Sequence, residues 1–329
     1  MESTELEQIS PTEIQKEEKT FYFEVVDGLS QPFKKLPSMY FYDQVGDKLF
    51  QKIMSCDEYY LTRSEAEIFS MQSQQIASVI QPGSGHFDVI ELGAGDGTKT
   101  TYLLNQLQKE GVSFTYMPID ISGSILEELR ENLLLQIPGL DMSPMQGEYF
   151  DMLQQATKAT SHPKLVLFLG SNIGNMPPQE ALLFGRQMRQ FLKEGDLVLI
   201  GFDLVKDPDL VRKAYSDKQG YTRSFNLNLL KRINRELGAD FNIDYFEHYC
   251  SYDPLTGACK SYLVSQRKQV VAFPDTQFHF EQGECIWMEI SQKYSLPQID
   301  QLATQAGFET IERFTDKNSW FADVVWKAV

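Results

Sequence analysis

The stretch DVIELGAGDGTKTTYLL, residues 88–104, restricts the fold more than any other part of the chain. Asp88 to Leu92 have the length and apolarity of a buried strand, Gly93, Gly95 and Gly97 supply a sharp turn, and Thr98 onward opens a helix. Glycines let a backbone bend tightly and approach a ligand closely. A dinucleotide motif would put its third glycine at position 98, where this chain has Thr98, and a P-loop would need its lysine one residue before Lys99. The turn therefore suits a small ligand other than these phosphate groups.

The flanking sequence keeps the same rhythm. Ser64 with Glu67 reads as a capping box for a helix carrying Ile68, Met71, Ile76, Val79 and Ile80, which QPGSG ends. After the glycine turn come strand SFTYMPI, a helix through Ile125 to Leu134, a short strand at 144–146 and a helix at 150–158. KLVLFL, a helix at 178–193 and DLVLIGF complete the series. Apolar strands alternating with amphipathic helices predict a parallel sheet covered on both faces. From 204 to 293 the rhythm breaks into two helices, at 208–216 and 224–237, and strands at 246–252, 260–266, 268–273 and 284–291, with DPLTG as a hairpin turn. A helix at 296–306 and the strands FETIERF and WFADVVWKA then return to the first pattern. The fold class expected is α/β, a Rossmann-like sheet with an inserted α+β lobe. Residues 1–18, polar and charged, read as a loose tail.

A formal charge of −16 argues against nucleic acid or an anionic membrane as partner and leaves small molecules. The N-terminus lacks the basic-then-apolar order of a signal peptide and no apolar run is long enough to span a bilayer, so a cytoplasmic location is expected. Cys56, Cys250, Cys259 and Cys285 match no zinc spacing, and His248 with Cys250 reads as a strand pair, so no metal is expected.

Ligands of open α/β sheets sit beyond the carboxyl ends of the strands. There, Asp120 has the chemistry to hold a ribose or to cap the helix that follows. Glu148 and Tyr149 suit an adenine or a surface turn. LFLGSNIGNMPP has the glycines and asparagines of a loop that shapes a pocket. On CIWMEIS a period of two puts Trp287, Glu289 and Ser291 on one face.

The segments YFYDQVGDKLF, EYYLTRSEAE, ELGAGDGTKT, FLGSNIGNMPP, DLVKDPDLVRKAY, FNLNLLKRINREL and EISQKY occur in the order found in the L-histidine Nα-methyltransferases, and from about residue 35 onward the chain resembles that family. The resemblance implies a class I, S-adenosylmethionine-dependent methyltransferase domain at 65–203 and 294–329. It implies a substrate-binding domain at 19–64 and 204–293, and trimethylation of histidine to hercynine on the route to ergothioneine. It implies Gly93, Gly95, Lys99 and Asp120 as cofactor contacts. The family has Asp and Phe where this chain has Glu148 and Tyr149, which keeps an acid and an aromatic for the adenine. For the substrate it implies Tyr59, Asn175 and Tyr215 around the carboxylate, Tyr42 and Gly170 near the amine, and Glu289 and Ser291 on the imidazole, with Tyr42 as the group that orients the amine or relays its proton. Read alone, Tyr59 suits aromatic packing, Asn175 an Asx-turn before Pro177, and Tyr215 a buried helix face. Tyr262 stands where a histidine enzyme of the family has Met, and it suits either a stacked imidazole or another aromatic substrate such as a tryptophan derivative. An NAD-type oxidoreductase and a non-catalytic amino-acid sensor are the readings from other classes. The sequence names no protein partner.

Overall fold

The computed structural model describes the backbone of residues 11–80 and 85–329 and the side chains from residue 19 onward. The helices are α1 (Pro11–Ser30), α2 (Gln44–Met54), α3 (Leu61–Ile80), α4 (Thr100–Lys109), α5 (Gly123–Gln136), α6 (Tyr149–Ala159), α7 (Pro178–Phe191), α8 (Pro208–Ala214), α9 (Tyr221–Leu237) and α10 (Leu296–Ala306). The strands are β1 (Phe87–Leu92), β2 (Phe114–Asp120), β3 (Met145–Gln146), β4 (Lys164–Phe168), β5 (Leu197–Asp203) and β6 (Phe246–Asp253). They continue as β7 (Ala258–Ser265), β8 (Gln269–Ala272), β9 (Gln277–Phe280), β10 (Cys285–Gln292), β11 (Phe308–Thr315) and β12 (Phe321–Ala328). No helix among the described residues is long and apolar enough to cross a membrane.

The chain divides into two compact units. One holds the residues up to Tyr59 with Pro208–Asp253 and Cys259–Ile290, and the other holds Tyr60–Asp207, Pro254–Ala258 and Ser291–Val329. The second unit is built on a seven-stranded sheet of order β11-β12-β5-β4-β1-β2-β3. β1 pairs in parallel with both β2 and β4, and β4 with β5, while β12 runs antiparallel to β5 and closes a hairpin with β11. β1 and β4, buried along their whole length, need apolar cover on two faces, and two core clusters supply it. On one face Trp326 packs against Phe202 and Phe308, with ring centroids 5.7 and 5.6 Å away. The strand order reverses between β1 and β4, the place where open α/β sheets take their ligands.

The first unit has its own core, formed by apolar residues of α1, α2 and α9 and of strands β6 to β10. Its strands form a three-stranded sheet of order β10-β7-β6 and the antiparallel pair β8-β9.

Two details differ from the sequence reading, and a third lies largely outside the described residues. Residues 11–18 belong to α1, where composition suggested a loose tail, and residues 1–10 lie outside the described part. QPGSG, expected to end α3, lies almost wholly outside it too, since 81–84 are not described. The capping box at Ser64 is absent because α3 starts three residues earlier. Ser64 is buried inside the helix beside Asp316, and Glu67 accepts from the Lys317 backbone at 3.0 Å.

Candidate active site

In the sheet unit the expected cofactor residues gather at the strand ends. Gly93, Gly95 and Gly97 all have positive φ (70°, 54° and 64°), which side-chain-bearing residues rarely adopt. A Cβ on Gly93 would sit 2.6 Å from the Tyr149 hydroxyl, whereas one on Gly95 would meet nothing within 4 Å. Glu91, fully buried, braces this turn by accepting from Thr100 Oγ1 at 2.7 Å and Tyr116 Oη at 2.5 Å. Burial pushes its carboxyl up to about 7 despite both donors. Glu91 is thus a strut between β1, β2 and α4.

Asp120 is not the helix cap. Ser122 takes that role, its hydroxyl accepting from the Ile125 backbone at 3.3 Å, while Asp120 Oδ1 accepts only from the Ser122 backbone at 3.0 Å. Among the described residues the Asp120 carboxylate makes no other hydrogen bond, so one of its oxygens remains for a ligand. Tyr149 opens α6, and its hydroxyl is pushed up to about 12 by burial and by the nearby Asp120 and Glu148 charges. Gly93, Asp120, Glu148 and Tyr149 therefore lie together.

Lys99 belongs to a different cluster. Its ammonium bonds the buried carboxylate of Glu65, whose other oxygen accepts from the Gly170 backbone at 2.6 Å. Burial opposes the Lys99 charge, but Glu65 outweighs it and pushes the Lys99 pKa up. Gly201 on β5 makes room for this arrangement, since a Cβ there would lie 2.5 Å from Glu65 Oε1. Asp323, fully buried beside the cluster, has no hydrogen-bond partner for either oxygen among the described residues. Burial, with the Glu65 charge adding to it, pushes Asp323 well above the usual carboxylate range.

The loop after β4 is held in a fixed shape. Gly170 (φ 75°) and Ser171 (φ 57°) are successive left-handed residues, and Ser171 Oγ accepts from the Asp203 backbone at 3.2 Å. A left-handed serine costs about 1–2 kcal/mol and persists because its surroundings over-determine it. Asn175, at the end of a 3₁₀ turn over Asn172–Asn175, forms no Asx-turn. It is exposed, and its amide makes no hydrogen bond among the described residues.

Beyond β5 lies a buried ionic network that sequence reasoning missed. Asp203 accepts from Tyr60 Oη at 2.9 Å, from Lys293 Nζ at 2.7 Å and from Lys206. Lys293, 0% exposed, also donates to Ser291 Oγ at 2.7 Å. Burial lowers the Lys206 pKa to about 8, with Lys293 repelling it and Asp203 resisting the shift.

In the other unit three of the expected tyrosines lie on one aromatic string. Tyr42, 48% exposed, packs edge-on against Phe225 and Phe50 at 5.6 and 5.7 Å, Phe50 against Tyr59 at 6.3 Å, and Tyr59 against Tyr215 at 6.0 Å. Glu289 on β10 accepts weakly, at 3.4 Å, from Asn226, a fully buried residue of α9. Tyr262 lies on β7, the sheet neighbour of β10, and interacts with Ser251 and Cys285.

One group among the described residues has metal-ligand chemistry, His86, Asp88 and His162 at the amino ends of β1 and β4. Lys164 already matches the Asp88 charge at 2.7 Å. Thr115 spends its hydroxyl proton on Asp141 at 2.6 Å, so at 3.0 Å it accepts from His86 Nε2–H, and that nitrogen has no lone pair to offer. All four cysteines are free thiols, Cys250 and Cys259 with sulfurs 3.5 Å apart.

The family described as histidine-specific methyltransferase, SAM-dependent, matches residues 21–328. The chain belongs to this family. As a member of it, this methyltransferase is similar to the histidine N-alpha-methyltransferase of Mycobacterium tuberculosis, 33% identical over 296 residues that cover 89% of this chain and 90% of that protein. It is 32% identical over 314 residues to ergothioneine biosynthesis protein 1 of Neurospora crassa, covering 93% of this chain and 34% of that protein. The L-tryptophan methyltransferase trpM of Psilocybe serbica is 27% identical over 311 residues, 86% of each chain.

Proposed function

We propose that this methyltransferase transfers methyl groups from S-adenosylmethionine to the α-amine of L-histidine, three times in succession, giving hercynine. The observation that carries the reading is the histidine-specific family match over residues 21–328. The strand-end residues fit the cofactor. Open space beside Gly95, an available Asp120 oxygen and the Tyr149 ring suit a nucleoside with a diol. Gly93, Gly95, Asp120, Glu148 and Tyr149 would hold the nucleoside, and Lys99, fixed by Glu65, the amino-acid end. The bound sulfonium supplies an electrophilic methyl group.

The chain's own task is alignment and control of one proton. The amine attacks only when unprotonated, and desolvation lowers its pKa toward neutrality. Tyr42 orients the amine or passes its proton to solvent, and the tyrosine faces stabilise the ammonium that builds up over three transfers. Asn175, with its amide available, and the hydroxyls of Tyr59 and Tyr215 take the carboxylate, while Gly170 contributes beside the amine. Glu289 and Ser291 take the imidazole. Tyr262, on the strand beside β10, stacks on the imidazole.

Indole offers one N–H and no ring lone pair, which leaves either Glu289 or Ser291 without a partner at about 1–3 kcal/mol. Competition between equimolar histidine and tryptophan tests this. Histidine is expected to win by at least about tenfold in catalytic efficiency, and Glu289→Ala to erode the preference while leaving cofactor binding nearly intact. Equal turnover of the two by the parent protein contradicts the histidine assignment.

A further inference from the structure

Two of the thiols are placed as a pair. Cys250 on β6 and Cys259 on β7 lie on neighbouring strands of the β10-β7-β6 sheet, inside one compact unit and nine residues apart in the chain. Their sulfurs are 3.5 Å from each other, close enough for the S–H of one to donate to the other. Burial alternates along β7 from Cys259 to Ser265, which turns Cys259 inward, and Cys250 with Phe246 are the buried residues of β6. The strand ladder holds the two sulfurs about 1.5 Å beyond the length of a disulfide.

The thiolate is the reactive form of cysteine, and burial by itself disfavours it. The pair offsets part of that penalty, because when one sulfur gives up its proton the other S–H can donate to the thiolate that remains. Cys285 is the exposed thiol, yet partial burial and the Glu284 charge push its pKa up. Cys56 donates instead to the Lys52 carbonyl at 3.2 Å.

We propose that Cys250 and Cys259 form a redox site, a dithiol that hydrogen peroxide converts reversibly into a disulfide joining β6 to β7. Cys250, at 6% exposure against 2% for Cys259, reacts first. Its thiolate attacks one peroxide oxygen, the O–O bond breaks, and the other oxygen leaves as hydroxide and takes up the proton that Cys250 released, giving water and a sulfenic acid. Cys259 then attacks the sulfenic sulfur. The S–S bond forms, the S–O bond breaks, and the departing hydroxide takes the Cys259 proton as a second water. The two sulfurs together lose two electrons, and the peroxide gains them. A small thiol reverses the change by exchange through a mixed disulfide. The pair uses no group assigned to histidine or to the cofactor, so its oxidation and the methyl transfer are tested separately.

The folded parent protein should be exposed to hydrogen peroxide, its remaining thiols alkylated, and its peptides mapped by mass spectrometry. Two of the four thiols are expected to escape alkylation, in a linked peptide joining Cys250 to Cys259, and dithiothreitol should restore all four. In Cys259→Ser the sulfenic acid on Cys250 should persist and be captured by dimedone, whereas the parent should give little of that adduct. A folded parent that keeps both thiols, that links other cysteines, or that forms the 250–259 link only in denaturant overturns the inference. So does a parent that accumulates the dimedone adduct on Cys250 as fully as Cys259→Ser does. If that variant does not fold, the peptide map of the parent decides alone.

Discussion

Individual side chains in the sheet unit have assignable roles because few polar groups there share a task. Asp120 keeps one carboxylate oxygen without a hydrogen bond among the described residues while Ser122 caps α5. Asp120→Ala should therefore leave the fold intact and weaken S-adenosylmethionine by about ten- to a hundredfold, the value of roughly 1.5–3 kcal/mol for a charge-assisted hydrogen bond. Unchanged affinity by calorimetry would remove Asp120 from the site. Asp323 invites a different measurement. Its folded pKa is raised, chiefly by burial, so above about pH 4 the unfolded chain has released a proton that the folded chain keeps, and stability falls as pH rises toward the folded pKa. Asparagine does not titrate. The melting temperature of Asp323→Asn relative to the parent should rise as the pH rises above about 4, and a pH-independent difference would mean that Asp323 is ionised in the fold.

Elements hold the candidate side chains in place within each unit. The loop after β4 fixes Gly170 through Glu65 and leaves the Asn175 amide exposed, and the string from Tyr42 to Tyr215 orders three tyrosines through Phe50. Asn175→Ala and Tyr215→Phe should raise the concentration of histidine required and leave cofactor binding nearly unchanged. With histamine, which lacks the carboxylate, the variants should match the parent, and equal losses with both substrates would indicate a fold or cofactor defect. Most of this element pattern was legible in the sequence because apolar period and turn chemistry agree from α3 to β12. α1, α2 and β9 went unread: α1 opens with the charged run EIQKEEK, and β9 is four residues long, with only Phe278 and Phe280 buried. Glu65, Asp203, Lys293 and Asn226 were not singled out because each is a polar residue inside an apolar pattern. Its meaning depends on partners distant in sequence, such as Gly170 for Glu65 and Ser171 for the Asp203 backbone.

At the scale of the whole chain, one boundary between the two compact units falls at Pro208. The formal charge of −16 suits a protein whose ligands include a cationic sulfonium and an amine that becomes a fixed cation. The account stands or falls on the reaction itself. The unmodified protein should be supplied with S-adenosylmethionine and each free amino acid in turn, and the products weighed and fragmented by mass spectrometry. Histidine is predicted to gain one, two and then three methyl groups, all on the α-nitrogen, with the trimethylated species accumulating. Absence of methylated histidine, methylation on the ring, or turnover of tryptophan equal to or faster than that of histidine would contradict the account.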